Sequence, residues 1–384
     1  MIPPERRLYM RKRPDRWLLT VLLLVLLFSL FTVFAFSGNA QRTVRRLSAA
    51  SYALYEPTAD TFLMEGQADE RRPMASTTKI MTAYLAVLEG DPERPVKIPA
   101  AACGVEGSSL YLKPGERLTL RELTLGLMLR SANDAALALA IALCGSEEAF
   151  VCRMNEKAEE LGLSDTHFDN PHGLDGETHY TTAHDLARLA AAALENPAFA
   201  DIVKTENAVI GKGESRRLLH NHNRLLRMYD GTVGVKTGFT KKSGRCLVSA
   251  ATRDGVTLIG VTLSAPDDWQ DHAQMLDYGF SRLEHRVVAA PGEYRMTLPV
   301  IGGTAAAVTV ENPDGYEETV DKTVAPATVE IRMCHMAAAP VREGDILGVV
   351  ILVRDGKEIA RLPLTAVTES PLPRRRRFFG LFGG

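Results

Sequence analysis

Apolar positions along the chain follow three different patterns. Residues 17–36, WLLTVLLLVLLFSLFTVFAF, carry no charge, and at 1.5 Å per residue a helix of that length crosses a ~30 Å hydrocarbon layer. Segments 50–55 and 61–65 alternate about the turn-forming Glu56-Pro57-Thr58-Ala59-Asp60, which predicts a strand pair. Beyond Pro73 the period becomes helical. The run 76–88, stopped by Gly90, is apolar on nearly every face and predicts a buried central helix. Thr119 and Glu122 have capping-box spacing for a helix reaching about Arg130. Ser131-Ala132-Asn133 breaks that helix, and Asp134 opens an alanine-rich one ended by Gly145. Further helices are expected over 148–161 and 182–194. Strand character returns over 232–237, 245–253 and 256–264, joined by Lys241-Lys242-Ser243-Gly244 and the hairpin dipeptide Asp254-Gly255. A last helix is expected near 268–283.

These elements sum to an α/β (α+β) domain of about five antiparallel strands with a helical cluster between the sheet's halves in sequence. Past His285 the texture changes to short Val/Thr/Ile runs separated by Gly-Gly, Pro-Asp-Gly, Arg-Glu-Gly and Arg-Asp-Gly, the spacing of a small all-β module. The expected layout is a basic segment with a signal peptide or anchor over 1–40, the mixed domain over 41–285, the β-rich module over 286–369, and a tail over 370–384.

Composition changes this picture in one respect. With 46% hydrophobic and 24% charged residues the chain is globular, neither disordered nor a multi-span membrane protein. Its net charge of −2 combines +4 over residues 1–16 and +4 from Arg374 to Arg377, which leaves −10 for the body. An acidic body with basic ends makes a poor nucleic-acid ligand and suits a membrane-attached protein. Arg11, Lys12, Arg13 and Arg16 hold the near end of the apolar run in the cytoplasm. Gly38-Asn39-Ala40 suits signal cleavage, whereas a run longer than the ~7–15 residues of a signal core suits a retained anchor. Both readings stay open, and both put residue 41 onward outside the cytoplasm. At the far end, four arginines followed by Phe378, Phe379, Leu381 and Phe382 suit an anionic lipid surface or a disordered basic tail. Five cysteines show no metal-ligand spacing; Cys144 and Cys152 are near enough to pair, although buried thiols are the plainer expectation. Nine histidines form no HExxH, and neither a GxSxG elbow nor a glycine-rich phosphate loop occurs.

Three short motifs carry chemistry. Ser76 and Lys79, three apart at the start of the buried helix, share a face. A lysine there is disfavoured as a cation by desolvation and by the positive helix end, so its neutral amine can deprotonate Ser76. The same helix end offers a backbone N–H to a developing oxyanion. Ser131 and Asn133, on a tight inter-helix loop, supply a hydroxyl for proton relay and a carboxamide for a peptide carbonyl. Lys236-Thr237-Gly238 ends a strand, where a cation and a hydroxyl can bind a terminal carboxylate and the glycine admits a substrate backbone by β-augmentation. On this reading Lys79 is neutral and Lys236, at a strand edge, stays charged.

Taken together in this order, SxxK, SxN and KTG form a known trio. Over about residues 48–368 the chain resembles the low-molecular-mass penicillin-binding proteins that act as D-alanyl-D-alanine carboxypeptidases. The flanks MASTTKIMTAYLAV, FDNPHGLDGETHYTTAHDLARLA and GVKTGFTKKSGRCLVSAATRDG carry the likeness, and APVREGDILGVVILVRDGKEIARLPL extends it into the second module. The resemblance implies a β-lactamase/transpeptidase-like fold with Ser76 as nucleophile, Lys79 as base, and Ser131 with Asn133 as relay and positioning pair. It implies Lys236, Thr237 and Gly238 as substrate-binding residues, an oxyanion hole from the N–H groups of Ser76 and Phe239, and no cofactor or metal. Peptidoglycan stem peptides are then the substrate and β-lactams the inhibitors, in the cell envelope. A β-lactamase or DD-endopeptidase on the same scaffold, or a non-catalytic wall-binding protein, are the rivals. The family's longer C-terminal amphipathic anchor is reduced here to a few residues, which leaves the mode of membrane attachment open.

Overall fold

The computed structural model describes residues 46–373; the apolar run 17–36 and the arginine-rich tail lie outside the described residues. Strands β1 (Ser51–Glu56) and β2 (Thr61–Gly66) form the expected pair, their turn closed by the Ala59 N–H donating to Glu56 Oε2 at 2.6 Å. The next element begins as a 3-10 turn, Ala75–Thr78, and becomes α1 (Lys79–Glu89) only afterwards. The tighter start arises because the Thr77 and Thr78 hydroxyls donate to the Met74 and Ala75 carbonyls at 2.6 and 2.8 Å, competing with the helical ladder.

A short pair, β3 (Pro95–Lys97) and β4 (Arg117–Thr119), precedes α2 (Leu120–Arg130). Its capping box is formed as expected, with Glu122 N donating to Thr119 Oγ1 at 3.1 Å and Thr119 N to Glu122 Oε2 at 2.8 Å. Then come α3 (Asn133–Cys144), stopped by left-handed Gly145, α4 (Glu147–Glu160), α5 (Ala183–Leu194) and α6 (Pro197–Lys204). A hairpin of β5 (Asn207–Ile210) and β6 (Arg217–His220) and the one-turn α7 (Leu225–Met228) lead to β7 (Thr232–Thr240), β8 (Gly244–Arg253), β9 (Val256–Leu263) and α8 (Asp268–Arg282). The sheet order is β2-β1-β9-β8-β7, antiparallel throughout, so β7 is an edge.

Strand alternation divides the core. Ala53, Ile259 and Val261 join the helical side with α1 at its centre, whereas Leu54 and Leu258 pack with Met275 and Leu276 of α8 on the opposite face. A further core runs from Ala289 to Ala366 and shares no residue with these two. It is built by β10 (Leu283–Ala289), β11 (Met296–Ile301), β12 (Ala307–Glu311), β13 (Tyr316–Asp321), β14 (Thr328–Met333), β15 (Ala337–Ala338), β16 (Ile346–Arg354) and β17 (Lys357–Ala366). Among the described residues no helix follows α8.

One expectation needs correction, and several elements escaped the sequence reading. All five cysteines are free, and only Cys246 is buried; Cys152 and Cys334 are exposed. The pairs β3–β4 and β5–β6 and helices α6 and α7 were not read from the sequence. For α6 a signal existed, since Asn196 caps it from before Pro197 at the first turn. Among the described residues no single helix is long and apolar enough to cross a membrane.

Candidate active site

Ser76 sits in the 3-10 turn as its one half-buried residue, between buried Ala75 and Thr77. Lys79, at the first position of α1, is 0% exposed. Its Nζ lies 2.9 Å from Ser76 Oγ and 2.7 Å from Asn133 Oδ1, and it also donates to the His172 carbonyl. Burial drives the Lys79 pKa well below the ordinary lysine value, and the nearby Lys236 cation pushes it further, with Asp134 opposing.

Asn133 is oriented by its surroundings. Its Nδ2 donates to the Glu106 carbonyl at 2.5 Å and its backbone N–H to the Ser108 carbonyl at 2.7 Å, so Oδ1 is left to face Lys79. The loop it leans on is tied down by Asp134, which accepts from Ser109 Oγ, Leu110 N and Leu112 N at 2.6, 3.0 and 3.1 Å. Ser131 ends α2 in the left-handed region, at φ 60°, and so reaches the cleft rather than continuing the helix.

The third motif lies on the edge strand β7, which packs on the Ser76 turn. A Cβ at Gly238 would stand 3.0 Å from Ser76 N, so the strand fits tightly against the nucleophile's own turn at this glycine. Lys236 differs from expectation. It is 1% exposed, its Nζ donates to the Thr237 carbonyl at 2.7 Å, and burial lowers its pKa to about 7. It is therefore no solvent-facing cation. Phe239 is 66% exposed and forms a rim.

The motifs meet in a cavity of about 600 Å³ lined by Ser76, Ser131, Thr237, Gly238, Phe239 and Arg245. Segment 168–179, to which sequence reasoning gave no role, packs against the Ser76 turn and the start of α1. Thr82 donates to the Pro171 carbonyl at 2.6 Å, and His179 Nε2 lies 2.7 Å from Thr78 Oγ1. Burial lowers the pKa of His172 to about 3 and of His179 to about 4, so both stay neutral. The Asn-Pro-His-Gly run was the signal for a turn here.

Comparison with known proteins shows the family. A family model described as D-alanyl-D-alanine carboxypeptidase matches residues 38–267. The D-alanyl-D-alanine carboxypeptidase DacF of Bacillus subtilis is 32% identical over 91% of this chain and 93% of its own length. DacC of Escherichia coli is 31% identical over 87% of each. Among solved structures, penicillin binding protein 5 of Haemophilus influenzae superposes with a TM-score of 0.64 at 25% identity, covering 85% of this chain and 98% of that one. A mutant of the Streptomyces K15 DD-transpeptidase gives a TM-score of 0.58 at 35% identity, covering 61% of this chain and 98% of its own. The serine–lysine pair, the helical cluster and the five-stranded sheet thus sit in a chain that belongs to the D-alanyl-D-alanine carboxypeptidase family.

Proposed function

We propose that this protein is a serine D-Ala-D-Ala carboxypeptidase that trims peptidoglycan stem pentapeptides, acting outside the cytoplasm in the cell envelope, with residues 17–36 as a retained anchor or a cleaved signal. The observation that carries the reading is the set of partners around Lys79. A neutral amine has two N–H groups and one lone pair. Asn133 Oδ1 and the His172 carbonyl accept the two N–H groups, which turns the lone pair to Ser76 Oγ, 2.9 Å away.

In this mechanism Lys79 takes the Ser76 proton as Oγ attacks the penultimate D-alanyl carbonyl. The substrate lies along β7, with Thr237 at its terminal carboxylate and the N–H groups of Ser76 and Phe239 at the oxyanion. The carbon–nitrogen bond then breaks, and the proton held by Lys79 passes through Ser131 to the leaving amine, which departs as D-alanine. Water hydrolyses the ester, releasing the shortened peptide and restoring the Ser76 hydroxyl. β-Lactams acylate the same oxygen. The one carboxylate lining the cavity among the described residues, Asp268, is paired with Arg245, which supports slow hydrolysis of a bulky penicilloyl ester.

Incubation of the enzyme with a stem pentapeptide should release D-alanine, and Ser76→Ala should abolish both release and covalent penicillin labelling. Labelling that survives in Ser76→Ala would sink the mechanism. Rapid benzylpenicillin turnover would move the assignment to a β-lactamase.

A further inference from the structure

The burial of Lys236 leaves a gap in carboxylate recognition. A peptide ending in a free carboxylate calls for a cation that meets solvent and substrate, and Lys236, 1% exposed, has its amine engaged with the Thr237 carbonyl. The cavity contains another candidate. Arg245, at the start of β8, stands opposite Phe239 in the β7–β8 register, while Thr237 stands opposite Leu247. Thr237, Phe239 and Arg245 therefore share one face of the sheet, and Arg245 is the diagonal neighbour of Thr237, within reach of a long side chain.

Its guanidinium is held in place. Nε and one terminal nitrogen donate to Asp268 Oδ1 at 3.0 and 2.7 Å, and the Trp269 ring centroid lies 5.7 Å from the guanidinium carbon. Asp268 is buried, with 3% of its side chain exposed, whereas Arg245 keeps 40%. A guanidinium has five N–H donors in a fixed fork. Two serve Asp268, and the others remain for a ligand.

We infer that Arg245, anchored by Asp268 beside the Thr237 hydroxyl, is the charged group that recognises the terminal carboxylate of the substrate. The assignment rests on the carboxypeptidase reading above and adds to it a division of labour. Lys236 acts on the serine–lysine pair from beneath the strand, and Arg245 holds the substrate's end from the open side. Arg224 and Arg227 line the same cavity, which adds positive potential to a cleft in an otherwise acidic body.

The test compares an acylated Lys-D-Ala-D-Ala peptide with its C-terminal amide, as the ratio of their kcat/KM values for release of the last residue. Arg245→Gln should lower the acid-to-amide ratio about ten- to hundredfold, the worth of a charge-assisted pair, and Arg245→Lys should recover part of it. An unchanged ratio in Arg245→Gln would overturn the assignment. Should that variant fail to fold, the wild-type pH profile decides. The groups around the site are Asp268, Lys236, His220, His222, Arg224 and Arg227. A guanidinium keeps the ratio flat from pH 7 to 9, whereas recognition by Lys236, with its pKa of about 7, would lose about tenfold per unit. Cleavage of neither peptide by the wild type would instead sink the carboxypeptidase reading itself.

Discussion

Asn133 is where the charge balance of the serine–lysine pair is most easily shifted. Its Oδ1 is 2.7 Å from an amine whose pKa burial already lowers. Asn133→Asp keeps the shape but places an anion there, which favours the ammonium form. Acylation requires the neutral amine, so it should need higher pH. The acidic limb of penicillin labelling against pH should move up by about 1–3 units; an unmoved limb would remove Asn133 from the pair. Lys79→Arg goes further, because guanidinium does not deprotonate. It should slow labelling by roughly 10²–10⁴-fold, measured in a variant whose circular dichroism matches wild type. At this scale the sequence was readable where the contact is local, since Ser76 and Lys79 meet through three residues of turn. The burial of Lys236 was not legible because its cover is not local: β7 lies against a turn more than 150 residues earlier in the chain.

Elements follow the same rule. Helices α1 to α5 and strands β7 to β9 show their period over whole turns or several alternations, and their ends carry capping or turn residues such as Thr119 and Gly145. The four-residue strands β5 and β6 are too short for a period to emerge. Segment 168–179 has no period at all, and its role comes from packing. Gly173 shows how tight that packing is. It has φ +88°, and a Cβ on it would fall 2.0 Å from the Ala75 carbonyl oxygen, in the turn that carries Ser76. Gly173→Ala must therefore push the segment off the turn and carry the His172 carbonyl away from Lys79. The expected outcome is loss of most penicillin labelling together with a lower Tm. Wild-type labelling in this variant would show that the His172 carbonyl does not help set the lysine.

For the whole molecule, separate cores raise the question of what the chemistry needs. None of the motif residues belongs to the Ala289–Ala366 core, and the Streptomyces K15 structure accounts for 98% of its own length with 61% of this chain. A 41–285 fragment that folds should keep penicillin acylation, although cutting there interrupts β10, whose Leu283 packs beneath α8; a folded fragment without acylation would make the distal sheets part of the active enzyme. The larger part is also where acid sensitivity should originate. His172, His179 and His272 are buried, and desolvation holds their pKa values at about 3, 4 and 3 against an ordinary 6.5. Unfolded, each binds a proton near pH 6.5; folded, it does not until the pH is far lower. The unfolded state therefore carries more protons between about pH 6.5 and 4, and stability rises with pH across that window. The contribution is complete above the unfolded value and is lost as pH falls toward the folded one. Each histidine should cost about 1.4 kcal/mol between pH 7.5 and 5.5, or about 4 kcal/mol for the three. Urea unfolding at those two pH values measures this directly, and equal stabilities would mean that these imidazoles accept protons in the folded protein.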